Sequence, residues 1–320
     1  LYTMRKAIFS ILALIVIGII GYLLIPVDST NNTSSYSVAI NAIPRNAAFI
    51  IRTKNPENKW GNLKKTPLGK AISGFKSVQS INSFMASLDS IAKIESNINT
   101  TLHNSNSFIS GHVSGLNTTS LLFTISNEDI THERVNSSLQ KIFNDFESSE
   151  KTYEETKITC FLKNNTNICF AVLQNVLMMT NSSILIEKSV RQLKSGKSLS
   201  TNLGFRKLLK TSDSSLDANL FINYSEFGKS ISSFSNNNFS PVKLFSNFGS
   251  WAEIDLNIKN QGLMLNGFSM ANDSVNSYLS SFINEKAQPF LAPSILPENT
   301  GMMLYLSYNS FPSYYSKFEK

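Results

Sequence analysis

An α+β fold is predicted: an N-terminal transmembrane helix, then antiparallel sheet with amphipathic helices packed on it. Three observations predict it. Ala7 to Ile25 is a nearly unbroken apolar run with no charged residue. From Val38 onward, segments with apolar residues at every second position alternate with segments of period 3.6. Two pairs of strand-like segments are joined by two-residue turns, Asn164-Asn165 and Asn260-Gln261, which is hairpin spacing. Strands in antiparallel runs with helices laid between them describe the α+β class.

The bulk properties agree. The chain has 320 residues, 42% of them hydrophobic and 16% charged, so it builds real cores and is not disordered as a whole. Ser and Asn together make about a quarter of it, above ordinary globular usage. Two cysteines and three histidines exclude a disulfide-dense mini-domain and a Cys-rich zinc site.

Nineteen helical residues at about 1.5 Å each nearly cross a hydrocarbon core of about 30 Å. Arg5 and Lys6 precede the run, and the first basic residue after it is Arg45. The positive-inside rule then predicts residues 1–6 as a cytoplasmic tail and residues 7–25 as the membrane span, with the rest outside the cytoplasm. The rival is a cleaved secretory signal, whose apolar core spans about 7–15 residues before a small-residue cleavage site. Leu24-Ile25-Pro26-Val27-Asp28 offers no such site. Residues 26–42 read as a polar linker and 43–295 as one periplasmic α+β domain.

Within that domain Ala47 to Thr53 reads as a strand leaving Pro44. Leu68, Ile72, Phe75, Phe84 and Leu88 recur at helical spacing and predict one long helix over 67–95. Ser107 to Ser114 and Ser120 to Ser126 read as a strand pair. Val135, Leu139, Ile142 and Phe146 mark a second helix. A meander follows over 152–162, 167–173 and 176–180. Ser182 and Ser183 can cap a third helix, which Gly196 stops. A short helix around Phe205 to Leu209 precedes a strand at Ala218 to Tyr224. Ser230 to Ser240 is expected to be an internal loop. Trp251 to Ile258 and Leu263 to Ser269 form a hairpin, with Ile258 opposite Leu263 and Leu256 opposite Leu265. Asp273 or Ser274 is expected to cap a last helix through Val275, Leu279 and Phe282.

There is an internal echo. Ile43-Pro44-Arg45-Asn46 and Leu296-Pro297-Glu298-Asn299 each launch an apolar segment, Phe49-Ile50-Ile51 and Met302-Met303-Leu304. Residues 296–320 therefore read as the start of a second repeat, or as a last strand that completes the first sheet.

Ser183-Ile184-Leu185-Ile186-Glu187, Gln192 to Leu199, Phe205 and Asn219 to Tyr224 form a familiar series. With the Ile-Pro-x-Asn-Ala opening and Leu256 to Gly267, it resembles a family of uncharacterised Bacteroidota envelope proteins. The resemblance covers most of residues 40–305. It implies one N-terminal membrane span, a large extracytoplasmic region and no established activity.

The residues show no catalytic constellation. His103, His112 and His132 have no acidic partner in metal-ligand register and are expected at the surface or half-buried. In Gly111-His112-Val113-Ser114-Gly115 the serine falls one place late for a nucleophile elbow. Glu154-Glu155 and Glu253/Asp255 read as solvent faces of strands. No phosphate-binding glycine loop occurs, so no cofactor, metal or catalytic residue is assigned. The formal charge of +7 falls to +6 without Arg5, Lys6 and Asp28, with 27 basic against 21 acidic residues. Basic-aromatic interleaving is missing, so nucleic acid is not an expected partner. The short Asp-Ser/Thr-apolar pattern glycosylated in periplasmic Bacteroidota proteins nominates Ser29, Ser90 and Ser274. In a eukaryotic host the N-x-S/T sequons would be the ones to examine instead.

These observations predict a non-catalytic, inner-membrane-anchored periplasmic subunit or scaffold of an export, secretion or outer-membrane-biogenesis assembly. Its expected partners are the inner membrane and envelope proteins. A periplasmic lipid- or peptide-binding module is the alternative, and an enzyme the third.

The two cysteines carry a geometric expectation. A two-residue turn at Asn164-Asn165 pairs Lys163 with Thr166, Leu162 with Asn167, Phe161 with Ile168 and Cys160 with Cys169. The cysteines then form a non-hydrogen-bonded pair, which brings Cα atoms to about 4.5 Å, within disulfide range. An oxidising periplasm would keep a Cys160–Cys169 bond. The alternative is two free thiols in a hairpin of different register.

Overall fold

The computed structural model describes residues 38–75, short stretches between 78 and 86, 102–115, 118–163, 166–233, 245–259, 262–271 and 277–318. The predicted membrane span and residues 1–37 lie outside the described residues. Among those described, no helix is long and apolar enough to cross a membrane.

The domain is α+β, built on one ten-stranded sheet. Its strands are β1 (Phe49–Thr53), β2 (Ser107–Gly115), β3 (Thr118–Ser126), β4 (Glu147–Tyr153) and β5 (Thr156–Lys163), then β6 (Thr166–Leu173), β7 (Val176–Thr180), β8 (Ala218–Asn223), β9 (Trp251–Lys259) and β10 (Gly262–Ser269). Their spatial order is β10-β9-β8-β1-β2-β3-β7-β6-β5-β4, with every neighbouring pair antiparallel. The central strands carry apolar side chains on both faces, such as Phe108-Ile109, Leu122-Phe123 and Phe221-Ile222, so both faces need a cover.

Helices supply it. They are α1 (Pro56–Lys65), α2 (Pro67–Ile72), α3 (His132–Ile142), α4 (Ser183–Ser195), α5 (Leu203–Thr211), α6 (Tyr224–Ser233) and α7 (Phe311–Phe318). One core joins Ile50, Phe108, Leu122, Met178 and Phe221 to the 3-10 turn Val38–Ala42, α4 and α5. On the opposite face Phe123, Phe161, Phe170 and Met179 meet Val135 and Leu139 of α3. Beside that core, Ile222, Ala252 and Ile254 pack with Tyr224, Phe248 and Leu279.

Local chemistry explains the element ends. Ser182 accepts from the Leu185 amide at 3.3 Å and caps α4, and Gly196 ends it at φ 65°, where a side chain would be strained. Glu154-Glu155 and Gln174-Asn175 are two-residue turns with positive φ at both positions, the hairpin geometry that matches strand twist. The Glu154-Glu155 pair is thus a turn and not the solvent face of a strand.

Several expectations need correction. The sequence hid α1, which Pro56 starts behind a left-handed Asn55 cap. The single helix predicted over 67–95 is interrupted by a turn at 73–74, and most of its remainder lies outside the described residues. Strand β4 was not predicted, and the segment expected as one strand over 152–162 is divided by the Glu154-Glu155 turn into the end of β4 and most of β5. Ser230 belongs to α6 and not to a loop, while 234–244 lie outside the described residues. The last predicted helix is a 3-10 turn, Tyr278–Phe282, with a capping box at Ser277. Asp273 and Ser274 lie outside the described residues. Residues 301–308 form no strand, so nothing from 296–318 completes the sheet.

Candidate functional site

Two regions stand out: the polar groups inside the sheet layers, and the apolar arm that follows the 3-10 turn Tyr278–Phe282.

Register puts Arg52 of β1 opposite Asn219 of β8, and Asn219 opposite Asp255 of β9. All three point to the face covered by α5. Arg52 is buried and donates from Nε to Asn219 Oδ1 at 2.8 Å and from Nη2 to Ser212 Oγ at 3.0 Å. The Asn219 amide donates in turn to the Asp213 carbonyl at 2.9 Å and to the Asp255 carboxylate. The next row on the same face is Ile50, Phe221 and Glu253. Glu253 is 0% exposed and neither carboxyl oxygen has a hydrogen-bond partner. Burial, reinforced by neighbouring Asp255, pushes its carboxyl up to about 10 despite Arg52 and Asn219. Glu253 is therefore neutral at pH 7. It is a core residue and not the solvent-facing residue the alternation suggested.

Two of the three histidines, His112 and His132, lie deeper than the sequence suggested. His112 is buried; its Nε2 lies 2.9 Å from Ser110 Oγ and its Nδ1 has no partner. Burial first, then Lys188, lowers it to about 3, so it is neutral across the physiological range. Ser110 is fully buried too. His132 stacks on Phe170 at 4.7 Å and places Nε2 3.1 Å from Thr159 Oγ1. His103 is exposed and its Nδ1 lies 2.9 Å from Asn55 Nδ2. Among the described residues no three His, Cys, Asp or Glu side chains converge as metal ligands.

The cysteine expectation is met. Cys160 and Cys169 face each other across β5 and β6 in the predicted register and form a disulfide with Cα atoms 4.0 Å apart. Ala7, Ile25, Ser29, Ser90 and Ser274 lie outside the described residues.

The arm differs from the rest of the surface. Residues 283–318 carry large apolar side chains in the open, with Ile295 83% and Leu291 68% exposed. The arm ends in α7, whose Phe311, Tyr315 and Phe318 are exposed. Its aromatic rings run in a chain, Tyr278 to Phe318 at 6.0 Å, Phe282 to Tyr314 at 5.2 Å and Tyr308 to Tyr314 at 5.3 Å. The sequence signal for this surface was the aromatic density of 305–318.

A family described as a protein of unknown function (DUF3352) matches residues 117–307. The chain belongs to this family. The match runs from β3 through most of the arm and includes Glu253, the disulfide and α4. No curated protein matches the sequence. A solved structure, crystal form IV of TP0453, aligns at 11% identity over 72% of this chain and 79% of that one, with a TM-score of 0.36.

Proposed function

We propose that this protein of the DUF3352 family is a non-catalytic, inner-membrane-anchored scaffold subunit of a Bacteroidota-type cell-envelope assembly, docking its partners through residues 290–318. The observation that carries the reading is the exposed apolar arm. Monomeric soluble proteins rarely expose contiguous apolar patches of more than about a few hundred Å². Here Phe290, Leu291, Ile295, Met302, Leu304 and Phe311 are all exposed on one continuous segment. The groups that would carry chemistry, His112, Ser110 and Glu253, are in contrast buried in the layers where no substrate reaches them. The apolar run of residues 7–25 supports the membrane placement, with the domain on the periplasmic side.

The test is native pull-down of the full chain from membranes in mild detergent. Stoichiometric membrane or envelope proteins are expected with the natural sequence, and their loss with Phe311→Ser/Tyr315→Ser. Recovery of bound lipid or peptide in place of protein partners would favour a binding module and overturn the scaffold reading.

A further inference from the structure

The outer face of α5 is chemically one-sided. Phe205, Leu208 and Leu209 are buried against the sheet. Leu203, Arg206, Lys207 and Lys210 stand opposite them at i, i+3, i+4 and i+7, the spacing of one helix stripe. All four are exposed, Leu203 at 67%. Among the described residues none of the three cations has a carboxylate partner, whereas Lys151, Lys157, Lys163 and Lys229 each have one. The acidic side chains beside α5 are already bonded elsewhere. Asp213 accepts from the Ser215 amide at 2.8 Å, and Asp255 accepts from the Asp213 amide at 3.1 Å and from Asn219.

The stripe lies beside the point where the chain enters the domain. Arg45 donates from Nη2 to Thr201 Oγ1 at 3.0 Å and to the Ser198 carbonyl at 3.3 Å. Ser200 Oγ donates to Asn41 Oδ1 at 2.8 Å. These bonds fasten the opening turn, Val38–Ala42, to the 3-10 turn Leu199–Thr201 that leads into α5. Both turns pack into the core under α4 and α5. Arg45 is exposed and adds a fourth cation, and Val38 is 48% exposed. Only residues 26–37 separate Val38 from the apolar run of residues 7–25. Twelve residues reach at most about 40 Å when fully extended. A chain anchored by that run therefore holds its domain by this basic corner, close to the headgroups.

We propose that the α5 stripe, with Arg45, docks the domain on the anionic phospholipid headgroups of the bilayer that residues 7–25 enter. This rests on reading residues 7–25 as the membrane anchor, and it concerns a surface other than the arm. Charge complementarity selects the occupant. Four cations without carboxylate partners suit a surface of phosphate groups, and Leu203 can enter the interface between them. The stripe carries no aromatic anchor of the kind that dominates protein interfaces. The anchor keeps the headgroups at high local concentration, so a few screened charges suffice.

The test is lysine acetylation of the full chain in nanodiscs of phosphatidylcholine, alone or mixed equally with phosphatidylglycerol, read by mass spectrometry. Labelling of Lys207 and Lys210 is expected to be lower by roughly fivefold in the anionic discs. It should recover in about 1 M salt, where the Debye length falls to about 3 Å. Lys64 and Lys65, exposed on α1 at the opposite face of the sheet, should label equally in both discs. Leu203→Glu/Arg206→Glu changes only exposed side chains and should return Lys207 and Lys210 to the labelling of the neutral discs, with an unchanged melting temperature. Equal labelling in the two discs overturns the proposal, and so does protection that persists in high salt. Protection in native membranes but not in the anionic discs would mean a protein partner and overturns it too. A chain that enters neither disc sinks the anchor reading. Preformed vesicles of the anionic mixture then still decide this one: protection of Lys207 and Lys210 supports the stripe, and its absence overturns it.

Discussion

Glu253 shows how far a single side chain departs from its local sequence. Trp251-Ala252-Glu253-Ile254-Asp255-Leu256 alternates like a half-exposed strand, but α5 covers the polar row, and only tertiary packing reveals that. The consequence is a pH dependence. Below its ordinary value near 4.5 Glu253 is neutral in folded and unfolded chains alike, and burying it costs no proton uptake. As pH rises from there toward about 10, folding must take up a proton at this site. Stability should therefore fall by up to about 1.4 kcal/mol per pH unit over that window. Glu253→Gln keeps the shape without the titration and is expected to flatten this slope and raise stability at pH 8, read by urea unfolding at several pH values. An unchanged slope would show that Glu253 is solvated. Phe205 is the apolar counterpart, fully buried with Phe221 at 5.2 Å and Trp251 at 4.9 Å. Phe205→Ala is expected to cost about 3–5 kcal/mol of stability by the same measurement.

Elements were legible where short-range chemistry decides them. The β5–β6 hairpin followed from one assumed two-residue turn, which fixed every pair up to the disulfide. The β9–β10 register, with Ile258 against Leu263, followed in the same way. The ends of α4 were readable because Ser182 and Gly196 act within one turn of the chain. Strand β4 was missed because Glu147 to Thr152 are exposed on both faces at the sheet edge, so no apolar alternation marks them. Helix α1 was missed because its stability comes from a cap and a proline start and not from an apolar stripe. Replacing Cys160 and Cys169 by serine opens a loop of sequence separation 9 and should cost about 2–3 kcal/mol, seen as a lower melting temperature. Gly267→Ala should be more damaging than its size suggests, because the added Cβ would sit 2.0 Å from the Glu253 carbonyl oxygen across the β9–β10 pair. A melting temperature equal to the parent's would place β10 differently.

At the scale of the molecule, the central strands are packed on both faces and the last described segment is exposed. Both faces of the sheet are packed under helices, and the titratable groups within the layers sit where desolvation holds His112 and Glu253 neutral. The arm of residues 283–318 instead keeps its apolar groups in water while its backbone copies the opening of the domain. The sequence carried the Pro-Asn echo but not the outcome, since whether such a segment pairs depends on strands far away in the chain. Phe311→Ser/Tyr315→Ser touches only exposed side chains and should leave stability within about 0.5 kcal/mol of the parent. If residues 290–318 dock partners as proposed, the arm is covered when the protein is at work. Hydroxyl-radical footprinting of Met302, Met303, Tyr308, Phe311 and Tyr315 in native membranes, against the same chain purified and dilute, reads that cover side chain by side chain. Strong protection of these five in the membrane, with full labelling in the dilute protein, is the predicted result; equal labelling in both would contradict it.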